Sequence, residues 1–193
     1  MDTTLLLKEL RSVHEFSDSD FEKLLPYLEE RRYSKNEHVF QAGQIVKITF
    51  FVQKGIFRQY FINPDGNERT IYFVEKGSFA GELMSFLYKK PTDFYLQALE
   101  DSEVLCLTRE NWELAFTTIP SVALYQLKKH AQFISDLKQE MGKAGRETPD
   151  EKYRRLMKEN PGLLQRLQQY HIAAYLGVTP ETLSRIRKRN TLL

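Results

Sequence analysis

The sequence predicts an α+β chain: a small β-barrel or sandwich preceded by helices, then one long helix, then an all-α helix-turn-helix. Three observations predict it. Short β-rich runs recur at intervals of roughly 8–12 residues between Tyr33 and about Leu107. Apolar residues then recur at spacings of 3 and 4 from Leu124 to Met141. The stretch His171–Arg189 carries the punctuation of two short helices joined by a tight turn.

Residues 2–30 read as helical. Ser17 is placed to cap a helix beginning at Asp18, with Phe21, Leu24, Leu25 and Leu28 as its apolar stripe. Pro26 is expected to disturb that helix or end its regular part. The β runs follow: His38–Phe40, Ile48–Val52, Ile56–Ile62, Thr70–Val74, Tyr95–Leu99 and Glu103–Leu107. Asn63-Pro64-Asp65-Gly66 is a hairpin turn, because proline presets φ and glycine accepts φ > 0. Gly43, Gly55 and Gly77 punctuate other strand ends.

After Arg109 the helical period returns. Leu124, Leu127, Ala131, Ile134, Leu137 and Met141 form a seam about five turns long, with Lys128, Lys129, Lys138 and Glu140 off it. We read the seam as shared with a second copy, a homodimer contact; the alternative is packing on the chain's own barrel. Gly142-Lys-Ala-Gly145 is expected to break the helix and serve as a hinge. Thr148-Pro149-Asp150 starts a new helix, and Asn160-Pro161-Gly162 ends it and starts another. The expected domains are residues 1–118, 119–145 and 146–193.

In the closing segment Ile172, Ala173 and Leu176 give a short helix an apolar face. Gly177 can take the left-handed conformation after it, Val178 plugs the turn, Thr179 caps a second helix and Pro180 opens it. Leu183 and Ile186 form its buried face, leaving Glu181, Ser184, Arg185 and Lys188 on the other. A carboxylate, a hydroxyl and a guanidinium on a helix ending Arg-Ile-Arg-Lys-Arg suit a DNA major groove.

Charge agrees with that placement. The chain carries +2 in 193 residues: residues 146–193 hold 10 Lys/Arg against 5 Asp/Glu, and residues 1–145 hold 18 against 21. The excess positive charge lies where phosphates would be bound. One cysteine excludes an internal disulfide and a multi-Cys metal cluster, and Cys106 reads as a small buried hydrophobe. No run approaches the ~20 apolar residues of a membrane span. The N-terminal segment lacks the basic and apolar regions of a signal peptide, so the expected location is the cytoplasm, with no membrane partner.

Two motifs carry a family resemblance. Gly77-Ser-Phe-Ala-Gly81-Glu82-Leu83 looks like the start of a phosphate-binding cassette, and Glu181-Thr182-Leu-Ser184-Arg185 matches a Glu-x-x-Ser-Arg reading pattern. With the order of elements, they make the whole chain resemble the bacterial Crp/Fnr transcription regulators. The resemblance implies a double-stranded β-helix, a jelly-roll barrel of the cyclic-nucleotide-binding type, followed by a dimerisation helix and the helix-turn-helix. It implies a homodimer on double-stranded DNA with two-fold symmetric half-sites similar to TTGAT, and RNA polymerase as a partner. The DNA-contacting residues would be Thr179, Glu181, Thr182, Ser184, Arg185, Arg187, Lys188 and Arg189. Arg185 would read guanine and Glu181 cytosine, while Arg187, Lys188 and Arg189 would hold phosphates.

The chain also departs from the family. Where cyclic-nucleotide binders carry an arginine followed by Ser or Thr and then Ala, an ungapped count from Glu82 meets Thr92-Asp93-Phe94. Asp93 would oppose a phosphate as a like charge. The ligand pocket is therefore placed at Gly81, Glu82, Leu83, Thr92 and Asp93, with cyclic AMP not expected and no cofactor assigned. Arg58 and Arg69 read as solvated barrel arginines, or as donors to a different anion. The four scattered histidines (His14, His38, His130, His171) and single cysteine do not suggest a haem or iron–sulfur sensor, and no metal or catalytic site is expected. Only Asn190–Leu193 follows the reading helix, so the family's β-hairpin wing is expected to be absent. A metal-dependent barrel enzyme would want two or three converging histidines, and only His38 lies in the β region. An adaptor that binds a ligand but not DNA is the remaining alternative.

Overall fold

Ser17 has extended backbone and its hydroxyl accepts from the Asp20 amide, which turns the chain into a helix at Asp18. This helix, α2 (Asp18–Leu24), follows α1 (Thr4–Val13). The computed structural model describes residues 2–144 and 146–191. Pro26 lies in a single 3-10 turn, Leu25–Tyr27, and helix does not continue to residue 30. Glu29–Tyr33 is already the first strand, β1, paired antiparallel with β8 (Ser102–Thr108) from Glu29↔Cys106 to Tyr33↔Ser102. Its Glu-Glu-Arg-Arg-Tyr sequence shows no strand alternation; pairing with β8 decides its state.

The remaining strands are β2 (His38–Phe40), β3 (Ile48–Lys54), β4 (Ile56–Ile62), β5 (Glu68–Glu75), β6 (Phe79–Ala80) and β7 (Tyr95–Ala98). They form two four-stranded sheets, ordered β1-β8-β3-β6 and β2-β7-β4-β5. Gly55 joins β3 to β4 at φ 112°, and a Cβ there would lie 2.0 Å from the Ser102 hydroxyl oxygen, so only glycine fits. The Asn63–Gly66 turn closes as expected, with the Gly66 amide donating to the Asn63 carbonyl at 2.9 Å.

Contacts divide the chain into two groups. Residues up to Gln59 together with Phe73–Asp136 form the first; Tyr60–Tyr72 together with residues from Leu137 onward form the second. In the first, Leu6, Leu10, Phe21 and Leu24 bury against Phe51, Leu105 and Leu107. Ala115 joins them from α4 (Arg109–Thr118), and Val122 and Tyr125 from α5 (Pro120–Ala144). Full burial of such side chains contributes about 1.5–3 kcal/mol each, set against the entropy of ordering them. The Tyr125 hydroxyl donates to Glu9 at 2.9 Å and Lys129 pairs with Glu9 at 2.5 Å, fastening α5 to α1.

Gly142 lies inside α5, which runs to Ala144; the expected break at Gly142 is not there. A single glycine costs a helix about 1 kcal/mol relative to alanine, too little to end one on its own. Gly145 lies outside the described residues. Beyond it, α6 (Pro149–Glu159) opens with a capping box between Thr148 and Glu151. The Asn160 side chain caps α7 (Pro161–Arg166), and α8 (Gln169–Leu176) and α9 (Pro180–Thr191) follow. Buried apolar side chains of this segment include Tyr153, Leu163, Leu167, Ile172, Ala173, Ala174, Leu176, Leu183 and Ile186. Asn190 and Thr191 are the last residues of α9, and Leu192 and Leu193, the rest of the segment after the reading helix, lie outside the described residues.

Candidate nucleic-acid interface and ligand cradle

The turn between α8 and α9 forms as its residues dictate. Gly177 takes φ 75°, and the amides of Gly177 and Val178 both donate to the Ala173 carbonyl, at 2.8 and 3.0 Å. The Thr179 hydroxyl accepts from the Thr182 amide at 3.3 Å, which starts α9. Leu183 and Ile186 are buried. Glu181, Ser184, Arg185 and Lys188 are exposed, one helical face apart from the core, and Arg187 and Arg189 are exposed beside them. Thr179 is exposed and Thr182 half-buried at the N-terminal end. Glu181 is held below the ordinary carboxylate range by a backbone amide at the helix start, then by the Thr179 hydroxyl and Arg185. It therefore presents a charged acceptor at neutral pH.

Arg189 has a partner within the chain. Asp150 on α6 takes Arg189 at 2.8 Å and the Asn190 amide at 3.2 Å. That pair ties the end of α9 to the start of α6 and engages one cation expected to hold phosphate. Sequence reasoning missed Asp150 because 39 residues separate it from Arg189. It missed Arg155 for the same reason: this α6 side chain grips Glu140 and Glu147 together.

The seam residues of α5 do not face the chain's own barrel. Leu124, Ala131, Ile134 and Leu137 are exposed, with Leu127 and Met141 67% and 69% exposed. The side facing the barrel is instead Val122 and Tyr125. Their spacing of three was visible in the sequence beside the stronger seam.

The cassette is built around Glu82. Its two carboxylate oxygens accept from the Met84 and Ser85 amides at 3.1 and 2.6 Å, capping the short helix α3 (Leu83–Tyr88). Gly81 lies close to Thr49, where a Cβ would meet the hydroxyl oxygen at 3.2 Å. The Ser85 hydroxyl accepts from the Val46 amide at 2.8 Å. Arg109 donates to the carbonyls of Phe86 and Val46, both at 2.6 Å, and lies over the Phe86 ring. Glu82, Thr92 and Asp93 do meet, in one cleft of about 320 Å³ that also takes Ser85, Tyr88 and Lys90. Gly81 and Leu83 flank it in sequence. Thr92 is buried and its hydroxyl accepts from the Phe94 amide, while Asp93 is exposed. Two carboxylates and one lysine converge there, and Glu82 is already committed to the helix it caps.

Neither noted arginine is a solvated barrel side chain. Arg58 is buried and donates twice to Gln97, at 3.0 and 2.8 Å. The Arg69 guanidinium lies against Gly177. No helix is long and apolar enough to cross a membrane among the described residues.

Residues 30–118 match the family model described as a cyclic nucleotide-binding domain. The chain is 25% identical over 177 residues to the cyclic AMP receptor protein of Thermus thermophilus, covering 90% of this chain and 82% of that one. The c-di-GMP responsive global regulator CLP of Xanthomonas campestris has the same fold, with a TM-score of 0.75 at 16% identity over 91% of this chain and 92% of that one. FixK2 of Bradyrhizobium japonicum gives a TM-score of 0.72 at 21% identity over 84% and 83%.

Proposed function

We propose that the chain is a transcription regulator of the Crp/Fnr type, a homodimer whose two α9 helices read a two-fold symmetric DNA site. The observation that carries this is the exposed face Glu181, Ser184, Arg185 and Lys188 on a helix anchored by buried Leu183 and Ile186. Two such helices reach successive major grooves when about 34 Å apart. Arg185 donates bidentately to guanine, Glu181 accepts from cytosine N4, and Ser184 meets a base edge or a thymine methyl. Lys188 and Arg187 hold phosphates, with Thr179 and Thr182 at the start of the helix; Arg189 joins them only by leaving Asp150. Half-sites similar to TTGAT follow from the Glu-x-x-Ser-Arg match.

Dimerisation runs through the exposed seam of α5, which needs an apolar partner along its length. The barrel serves as a sensor or scaffold and not as an enzyme. Its effector is not classical cyclic AMP, because Glu82 caps α3 and Asp93 stands where a guanidinium is required. RNA polymerase is the expected protein partner, and the cytoplasm the expected location.

Arg185→Ala and Lys188→Ala test the reading. Arg185→Ala should cost about 1–3 kcal/mol and relax preference at one guanine, whereas Lys188→Ala should weaken all sequences alike and lower the salt slope by about one unit. A selected motif unaltered by Arg185→Ala would mean that α9 is not the reading helix.

A further inference from the structure

We propose that the hairpin joining β4 and β5 shields the helix-turn-helix, held by Arg69 at the C-terminal end of α8, and that specific DNA binding requires its release. The proposal rests on the DNA reading above. Tyr60–Tyr72, the end of the hairpin, groups with residues from Leu137 onward, which include α8 and α9. Arg69 makes the close approach. A Cβ on Gly177 would lie 1.8 Å from its Nη1 and 2.4 Å from both Cζ and Nη2, so the guanidinium sits against the glycine α-carbon. Gly177 is thus needed twice, for the left-handed turn and as the seat for Arg69.

The site suits a cation. The last carbonyls of a helix carry partial negative charge, and α8 ends at Leu176. Lys152 already uses that end: its Nζ donates to the Tyr175 carbonyl at 2.9 Å and lies 3.9 Å from the Tyr175 ring centre. Arg69 adds a second cation. Lys152 is held below the ordinary lysine range by burial first, then by Arg155, and also by Arg69, so the two cations feel one another.

The position matters because of what stands next to it. Asn63, Asn67 and Arg69 of the hairpin share a cleft of about 440 Å³ with Tyr170, Thr179 and Thr182. Thr179 and Thr182 are at the N-terminal end of α9, where a DNA backbone must come close. Glu68 of the hairpin lines the same cleft and would meet a phosphate as a like charge. The docked hairpin and a bound duplex therefore compete for one end of the reading helix.

The experiment compares the wild type with Arg69→Ala and Arg69→Lys, in the full chain, by gel shift on a DNA site selected by the wild type. Hydrogen exchange in the free protein is measured alongside. Apparent affinity is reduced by the fraction of molecules that are competent, so unfastening the hairpin raises it. A cation at a helix C-terminus sets the scale, a gain of about twofold to fivefold for Arg69→Ala and less for Arg69→Lys. Amides from Gly177 to Thr182 should exchange faster in Arg69→Ala. Equal or weaker binding overturns the proposal, and weaker binding with a smaller salt slope identifies Arg69 as a phosphate contact instead. Unchanged exchange overturns it as well. A wild-type chain that selects no DNA defeats the DNA reading and the shield with it; one that selects DNA while Arg69→Ala binds no tighter defeats the shield alone.

Discussion

Arg155→Ala should loosen the junction between α5 and α6 by an amount the geometry sets. The guanidinium donates to both oxygens of Glu140, at 3.1 and 2.9 Å, and to both of Glu147, at 2.9 and 2.9 Å. Arg155 and Glu147 are 19% and 18% exposed at their side chains, whereas Glu140 is 45% exposed. The Glu147 half is a sheltered, charge-assisted fork of about 1.5–3 kcal/mol. The Glu140 half is open to solvent and contributes about 0.2–1 kcal/mol. Losing both costs about 2–4 kcal/mol, enough to speed exchange governed by local opening by a factor of about 30 to 800. Hydrogen exchange across α6 and α8 is the assay, because Trp112, the one tryptophan, lies in α4 and reports on the other group. Combining Arg155→Ala with Glu147→Gln gives the coupling directly.

Acid should erase part of this difference. Burial alone would raise the Glu140 carboxyl, but Lys143 and Arg155 outweigh it and hold it below its ordinary value of 4.5. A depressed carboxylate stabilises the folded chain above its unfolded pKa and loses that contribution as pH falls through the folded one. The gap between wild type and Arg155→Ala should therefore be full at neutral pH and shrink below about pH 4.5. A coupling below about 0.5 kcal/mol at pH 7, within the range of an ordinary surface pair, would refute the reasoning.

Asp at Leu127 or Ile134 would bury an unpaired charge in the proposed dimer seam, and light scattering should then find monomers; two dimeric variants of unchanged affinity would move the interface elsewhere. Calorimetry should detect no micromolar binding of cyclic AMP, since the cleft by Glu82 offers Asp93 where a phosphate needs a guanidinium. Burial pushes the Cys106 thiol up to about 12, so a thiol reagent at pH 7–8 should label it only as fast as the chain unfolds. Rapid native labelling would contradict that placement.

Local signals account for much of what was legible. Ser17, Thr148, Asn160 and Thr179 are each followed by the helix their caps predict, and the Asn63–Gly66 turn joins two strands. The whole face of α9 could be read because Gly177, Thr179 and Pro180 fix where its helix begins, and the 3.6-residue period does the rest. What was not legible depends partly on distant partners and partly on which of two local tendencies wins. β1 is a strand because β8 pairs with it, and Glu82 is a helix cap only because Met84 and Ser85 turn into α3. Gly142 stays helical because one glycine does not outweigh its neighbours. Arg69 read as a solvated arginine, and the sequence offered no partner for Asp150 at the start of α6 or for Arg155; each finds its partner across a gap in sequence that no local pattern records.

Selection of bound sites from random double-stranded DNA by the purified chain tests the central claim most directly. The account predicts enrichment of a two-fold symmetric motif with half-sites about one helical turn apart, and loss of one guanine preference when Arg185→Ala is used instead. Enrichment of no motif at low salt, or of an asymmetric motif that Arg185→Ala leaves intact, would contradict it.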